Sequence, residues 1–131
     1  MRIQKSAEDY LEMILRLHET KGYARAIDIS YGLSVTKPSV SVAMRNLREN
    51  GYITVDESRN IHLTDAGMAI AVKIYERHQL LTSLLVSIGV DAKIAEKDAC
   101  RVEHDLSPET FEAIREKILC WRMTDRRSHR E

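Results

Sequence analysis

The hydrophobic pattern of this chain changes its period at Gly51. Ahead of that glycine, apolar residues recur at the three- and four-residue spacing of amphipathic helices. Directly after it come two short β-branched stretches, separated by a polar, turn-like run at residues 56–60. This switch restricts the N-terminal half to a few short helices followed at once by a β-hairpin.

Boundary signals divide this half of the chain into five elements. We predict helices at residues 5–21, 25–34 and 36–50, and strands at residues 52–55 and 61–64. Thr36 can cap the third helix, with Pro38 inside its first turn, and Gly22 ends the first helix. Two helices joined by a tight turn and followed by a hairpin are typical of a winged helix-turn-helix domain, which we place at residues 1–70.

The second half of the chain carries only helical signals. We predict helices at residues 65–87, 91–105 and 108–123. Gly89 separates the first two of them, and Ser107 followed by Pro108 starts the last. The predicted fold is therefore mainly α, with an N-terminal winged helix-turn-helix, a helical domain at residues 71–123 and a charged, flexible tail at residues 124–131.

Charge and cysteine content narrow the functional classes. The 20 basic and 20 acidic residues give a net charge of zero, whereas permanently DNA-bound proteins usually carry a basic excess. Zero net charge is compatible with an acidic cluster that a cation neutralises before DNA binding. Cys100 and Cys120 do not make a disulfide framework, and neither a secretion signal nor a membrane-spanning run is evident. We expect a cytoplasmic protein without a membrane partner or a small organic ligand.

The second helix of a helix-turn-helix pair enters the major groove by its N-terminal end. Because Val40, Met44 and Leu47 share one face at helical spacing, the remaining residues of this helix are available to DNA. For Arg48, a solvated surface charge is as good an interpretation as a DNA contact. An alternative for the whole domain is that it binds another protein instead of DNA. The predicted DNA contacts are Arg25, Thr36, Lys37, Pro38, Ser39, Ser41, Val42, Arg45 and, at the tip of the wing, Arg59.

Three stretches of the chain carry metal-ligand types of residue. Asp9 and Glu12 are three residues apart on the first predicted helix and therefore share a face. His78 lies in the middle of a helix, where a lone histidine is more often structural. The strongest signal is the triplet Cys100, Glu103 and His104, whose spacing of three and four residues places all three on one helical face.

Four ordered stretches of the sequence resemble the diphtheria-toxin-repressor family, and in particular its short, manganese-responsive branch. The resemblance covers about residues 5–122 and implies a homodimeric repressor of metal transport genes that binds operator DNA when loaded with metal. It also implies that the helical domain binds metal and forms the dimer, and it leaves no room for the SH3-like domain of longer members. The matching stretches are residues 8–12, 21–25, 77–81 and 98–107, and the implied metal ligands are Asp9, Glu12, His78, Cys100, Glu103 and His104.

Two positions depart from the family pattern. Manganese-sensing relatives usually have glutamate where this chain has Cys100, whereas iron-sensing relatives have cysteine there but lack the acidic pair Asp9 and Glu12. Thr82 replaces a glutamate that helps iron-type members bind an ancillary metal. Carboxylates and imidazoles suit Mn²⁺ and Fe²⁺, while a thiolate favours softer metals. We therefore expect Mn²⁺ or Fe²⁺, with Co²⁺, Zn²⁺, Cd²⁺ and Ni²⁺ as surrogates.

The charge of the implied ligand set bears on the number of metal ions. Three carboxylates and a Cys100 thiolate carry four negative charges when all are ionised and both histidines are neutral. One divalent cation leaves two of those charges, and two cations neutralise the set. We therefore predict a site that can hold two ions per subunit, the second more easily lost.

Two further functions compete with a metal-dependent repressor. A redox regulator could act through Cys100, although the neighbouring carboxylates disfavour the thiolate that such a sensor needs. A di-metal enzyme could use the same ligands, but the chain lacks the paired Glu-x-x-His motifs and an evident nucleophile. We therefore do not expect an enzyme.

Overall fold

The structure of the protein is a computed structural model that describes the backbone of residues 5–128 and the side chains of residues 6–121. The chain separates into two compact units, and the division lies between Tyr75 and Glu76. Among the described residues, no helix combines the length and the apolar character needed to cross a membrane.

The first unit has the predicted order of helices and strands. It contains α1 (Lys5–Lys21), α2 (Ala26–Leu33), α3 (Lys37–Glu49), β1 (Ile53–Val55), β2 (Ile61–Leu63) and the start of α4 (Asp65–Ser87). The two strands pair in antiparallel register, with Ile53 opposite Leu63 and Val55 opposite Ile61. The prediction of a winged helix-turn-helix is thereby confirmed.

Local capping and an apolar stripe define α3, the second helix of the pair. Thr36 is its N-cap and accepts a hydrogen bond at 3.3 Å from the backbone N–H of Ser39. The buried stripe consists of Val40, Met44 and Leu47, as the spacing predicts. These side chains join a core that also contains Leu11, Ile14, Ile29 and Ile53, all 0–1% exposed. The packing of α1 and the wing against this stripe leaves the opposite face of α3 in solvent.

The second unit contains the rest of α4, together with α5 (Ala92–Val102) and α6 (Pro108–Ser128). Its buried cluster consists of Leu80, Phe111 and Ile118. Ser107 caps α6 by accepting a hydrogen bond at 3.1 Å from the backbone N–H of Thr110. The break predicted at Gly89 is present, with a positive φ of 104°.

The two C-terminal helices end at different residues from those predicted. The prediction that α5 continues to Asp105 is wrong, since Glu103 is its C-cap and His104 lies in the following turn. Pro108 begins α6 and disfavours a helical conformation at Ser107, so the chain leaves the α5 helix before that residue. Helix α6 extends to Ser128 instead of about residue 123, because no glycine or proline interrupts that segment. Residues 129–131 of the predicted tail lie outside the described residues.

A close approach of two backbones at Gly67 generates a stability prediction. A Cβ atom at this position would overlap the carbonyl oxygen of Tyr52, which is backbone and cannot move aside cheaply. Replacing a helical glycine by alanine usually stabilises by about 1 kcal/mol, but overpacking costs about 1–3 kcal/mol. We therefore expect Gly67→Ala to lower the free energy of unfolding, measured by urea denaturation.

The matched control for this substitution is Ala69→Gly in the same helix. Ala69 is exposed, so its replacement should cost only the helix propensity of about 1 kcal/mol. A Gly67→Ala variant at least as stable as the unchanged protein would contradict the close approach.

Candidate metal centre and nucleic-acid interface

A basic groove of about 660 Å³ lies on the first unit, between the helix-turn-helix and the wing. Among the described residues, its lining contains five cations and no acidic side chain. Since phosphates are bound by clustered lysine and arginine, this groove has the electrostatic character of a nucleic-acid interface. The five cations of the basic groove are Arg25, Lys37, Arg45, Arg48 and Arg59.

Five of the nine predicted DNA contacts line the basic groove. They are Ser41 and every cation of the groove except Arg48. Four others are exposed near the start of α3 but do not line the groove, namely Thr36, Pro38, Ser39 and Val42. Arg48, left out of the predicted contacts, is one of the lining residues. Its place one turn after Arg45 on α3 was the signal that could have identified it.

The acidic pair of the first unit lies on α1. Glu12 is only 4% exposed, and Asp9, almost one turn earlier, is half-buried. Removing a carboxylate from water is costly unless a partner or a cation compensates its charge. This burial separates the pair from the ordinary solvated acidic face of a surface helix.

The second unit brings His78, Glu103 and His104 together. The Nδ1–H of His78 donates a hydrogen bond to Oε2 of Glu103 at 3.0 Å. Nε2 of His104 lies 3.3 Å from the other carboxylate oxygen, Oε1. Sγ of Cys100 and a carboxylate oxygen of Glu103 lie within 4.8 Å of each other. Four of the six predicted ligands therefore meet at one carboxylate.

Glu103 is completely buried, and its charge state follows from its neighbours. Burial raises the pKa of Glu103, but the polar and charge interactions of its carboxylate with the nearby imidazoles of His104 and His78 outweigh burial and hold the pKa below its ordinary value. The carboxylate is therefore ionised at neutral pH. Oε1 lacks the geometry of a hydrogen bond to any described residue, so a buried acceptor remains available.

This donor set fits a divalent transition metal. An ionised carboxylate, two imidazoles and a nearby thiol are ligand types shared by Mn²⁺, Fe²⁺, Co²⁺ and Zn²⁺ sites. The buried Oε1 of Glu103 is the kind of orphaned acceptor that a cation would satisfy. The residues present in the second unit thus suit the metal chemistry that the sequence predicts.

Arg77 holds the turn that carries Glu103 and His104. One guanidinium nitrogen, Nη1, donates to the carbonyl oxygens of Glu103 at 3.1 Å and Leu106 at 3.4 Å. The guanidinium carbon also lies 5.0 Å from the centre of the Phe111 ring. Arg77 thereby satisfies carbonyls at the end of α5 that no further helical turn can bond.

The sequence interpretation missed two neighbours of this cluster. Arg77 was not predicted to have a structural role, although Ile74, Arg77, His78 and Leu81 follow the i, i+3, i+4, i+7 pattern of a buried stripe. Oε1 of Glu96 lies 4.0 Å from Nε2 of His78. The hydroxyl of Thr82 donates to the His78 carbonyl at 2.7 Å, an ordinary helical back-bond.

The contacts of Arg77 generate a second stability prediction. Arg77→Met leaves the two carbonyl oxygens without this donor and removes the contact with the Phe111 ring. We expect a loss of about 2–4 kcal/mol in the free energy of unfolding. Arg101→Met on the exposed side of α5 is the control and should change it by less than about 0.5 kcal/mol. Equal stability of the two variants would show that Arg77 does not hold the turn.

Family models match both halves of the chain. The model described as iron dependent repressor, N-terminal DNA binding domain, matches residues 2–61. The model described as iron dependent repressor, metal binding and dimerisation domain, matches residues 64–119. The basic groove lies within the first match, and the cluster around Glu103 lies within the second.

Similar proteins cover most of the chain. The transcriptional regulator MntR of Bacillus pumilus is 36% identical over 123 residues, which are 94% of this chain and 85% of that protein. MntR of Listeria welshimeri is 39% identical over 109 residues, 83% of this chain and 77% of that protein. These relatives are regulators and not enzymes, and none of the comparisons supports a redox function.

Solved structures show the same fold. The crystal structure of T. acidophilum IdeR has a TM-score of 0.76 and 27% identity, and the match covers 90% of this chain and 55% of that one. A manganese-dependent transcriptional repressor in complex with manganese has a TM-score of 0.77 and 27% identity, with 85% of this chain and 51% of that one covered. The chain thus spans about half the length of these two structures. With both family models matched, it belongs to the diphtheria-toxin-repressor family of metal-dependent transcriptional repressors.

Proposed function

We propose that this protein represses transcription by binding palindromic operator DNA as a homodimer loaded with Mn²⁺ or Fe²⁺. The observation that carries the proposal is Glu103, an ionised and fully buried carboxylate between two imidazoles, with an acceptor oxygen left for a cation. The basic groove of the first unit supplies the surface for DNA. We further propose that the protein acts in the cytoplasm on metal transport genes.

The proposed ligand set joins residues of both units. His78, Cys100, Glu103 and His104 belong to the second unit, where their clustering supports the assignment. Asp9 and Glu12 on α1 supply the remaining carboxylates. Support for this acidic pair comes from its spacing, the burial of Glu12 and the family resemblance.

The choice of metal depends chiefly on Cys100. Five of the six proposed ligands are carboxylates or imidazoles, which suit Mn²⁺, and one similar solved structure is a manganese-dependent transcriptional repressor in complex with manganese. The thiol of Cys100 shifts the preference of the site toward Fe²⁺ and its surrogates. Two ions per subunit would neutralise the four charges of the fully ionised set.

Regulation follows from the distribution of these charges. In the proposed ligand set, carboxylates of like charge would repel one another unless a cation is bound. A divalent cation supplies the positive charge that offsets this repulsion. A cation bound by all six proposed ligands would also hold Asp9 and Glu12, and α1 itself packs directly on α2 and α3 in the DNA-binding unit. The two DNA-binding domains of a dimer would thereby acquire a defined spacing.

The proposed dimer has support on the second unit. Several large apolar side chains there are 42–64% exposed, and homodimer interfaces are more apolar than the rest of a protein surface. Such a two-fold dimer would bind a palindromic operator, because each half-site would meet an identical subunit. The exposed apolar residues of this unit are Val86, Ile88, Ile94, Val102, Leu119 and Trp121.

The principal test removes single ligands and measures DNA binding. A duplex is first selected from a random library by the Mn²⁺-loaded, unchanged protein. We expect Glu103→Ala and His104→Ala to weaken metal-dependent binding to this duplex on the order of 100-fold or more, since each removes a proposed ligand. Fluorescence anisotropy gives the affinity, and analytical ultracentrifugation gives the oligomeric state.

The control for this test is Glu112→Ala, which removes an exposed carboxylate from α6. It should leave metal-dependent binding unchanged. Metal-dependent binding that survives in the Glu103 and His104 variants would contradict the proposed function. Dissociation of the dimer in those variants would instead show that the residues around Glu103 serve to stabilise the dimer.

A spectroscopic test separates the role of Cys100 from that of the other ligands. Co²⁺ bound through a thiolate shows a sulfur-to-metal charge-transfer band in the near ultraviolet. We expect this band in the unchanged protein and in Cys120→Ser, but not in Cys100→Ser. The exposed Cys120 is a matched control because it offers the same sulfur chemistry outside the cluster.

Calorimetric titration with Mn²⁺ gives the stoichiometry in the same variants. Two ions per subunit are expected, the second bound more weakly. Saturation at one ion under all conditions would contradict the two-ion site, and a band that persists in Cys100→Ser would exclude Cys100 as a ligand.

A further inference from the structure

The loop ahead of the helix-turn-helix is hydrogen-bonded to the wing through both backbone groups of one residue. The N–H of Ala24 donates to Oδ1 of Asn60 at 2.8 Å. The carbonyl oxygen of Ala24 accepts from the N–H of Ile61 at 2.7 Å. Ala24 itself is completely buried, so these bonds replace contacts with water. The side chain of Asn60 thus supplies one of the two hydrogen bonds that bridge the loop and the wing.

The bridge lies between two cations of the basic groove. Arg25 directly follows Ala24, and Arg59 directly precedes Asn60. Because the bridge joins their neighbouring residues, it sets the separation of the two backbones from which these long side chains extend. Without the bridge, the tip of the wing could move relative to the loop, and with it Arg59 relative to Arg25.

Arg59 also adopts a conformation that needs local support. Its φ of 63° lies in the left-handed region, which residues with a Cβ atom seldom occupy. Asp56 provides part of the support, since its Oδ1 accepts from the N–H groups of Ser58 at 2.8 Å and Asn60 at 3.0 Å. The side chain of Asn60 then ties this turn to Ala24.

We propose that Asn60 is a positioning residue for DNA binding, which holds the wing so that Arg25 and Arg59 meet the phosphate backbone at a defined spacing. This inference rests on the proposed function. Preorganisation matters because a flexible arginine pays conformational entropy for each phosphate it contacts. Asn60 itself carries no charge and needs no contact with DNA to have this effect.

The test compares the salt dependence of DNA binding in Asn60→Ala and in the unchanged protein. The probe is again the duplex selected by the Mn²⁺-loaded protein. The slope of log affinity against log salt concentration becomes shallower by about 0.9 for each phosphate that the protein no longer neutralises. We expect a slope shallower by about 0.9–1.8 in Asn60→Ala, and binding on the order of tenfold weaker at about 0.1 M salt.

The slope distinguishes positioning from a merely structural role. A variant that is only less stable lowers the fraction of active protein but leaves the slope unchanged. Asn50→Ala is the matched control, since Asn50 is an exposed asparagine whose side chain bonds within the end of α3. Asn60→Ser is a second variant, which removes the same amide acceptor as Asn60→Ala but truncates the side chain less. The Co²⁺ spectrum of each variant checks that the metal site of the second unit is intact.

A double-mutant cycle with Arg59→Ala completes the experiment. If Asn60 acts through Arg59, the reductions of affinity in the two single variants do not add in the double variant. An unchanged slope in both Asn60 variants, or full additivity, would overturn the inference while leaving the proposed function intact. If the unchanged protein enriches no duplex at all, the proposed function fails and this inference fails with it.

Discussion

The carboxylate of Glu103 imposes the main physical constraint on the second unit. A fully buried anion is costly, and here the rings of His78 and His104 offset that cost. The chain reaches this arrangement by ending α5 at Val102, so that Glu103 and His104 lie in a turn whose carbonyls Arg77 satisfies. Packing, charge and ligand geometry in this unit therefore depend on one another.

Charge is separated in space even though the chain is neutral overall. The 20 basic and 20 acidic residues cancel in the sum, yet five cations line one groove, with no acidic side chain among its described lining residues. The buried carboxylates described above lie on α1 and at the end of α5. This separation places a basic surface suited to DNA and buried carboxylates suited to a cation on different parts of the chain. Net charge alone is therefore a poor guide to DNA binding in this protein.

Local signals predicted the elements of the fold well. The N-cap Thr36, the buried stripe of α3 and the break at Gly89 all lie where short-range rules place them. The predictions failed at the ends of α5 and α6, where the extent of a helix depends on the partners of its last carbonyls and on the absence of a stop residue. Arg77 and Asn60 were missed for a related reason, since their bonding partners lie 26–36 residues away.

The sequence by itself determined the order of helices and strands and the N-terminal winged helix-turn-helix, because periodicity, caps and residue spacing are local properties. The clustering of His78 with Glu103, the meeting of Arg25 with Arg59 in one groove, and the bridge from Asn60 to Ala24 were decided only by the tertiary structure. Each of these depends on contacts between residues far apart in the chain, which no local pattern specifies.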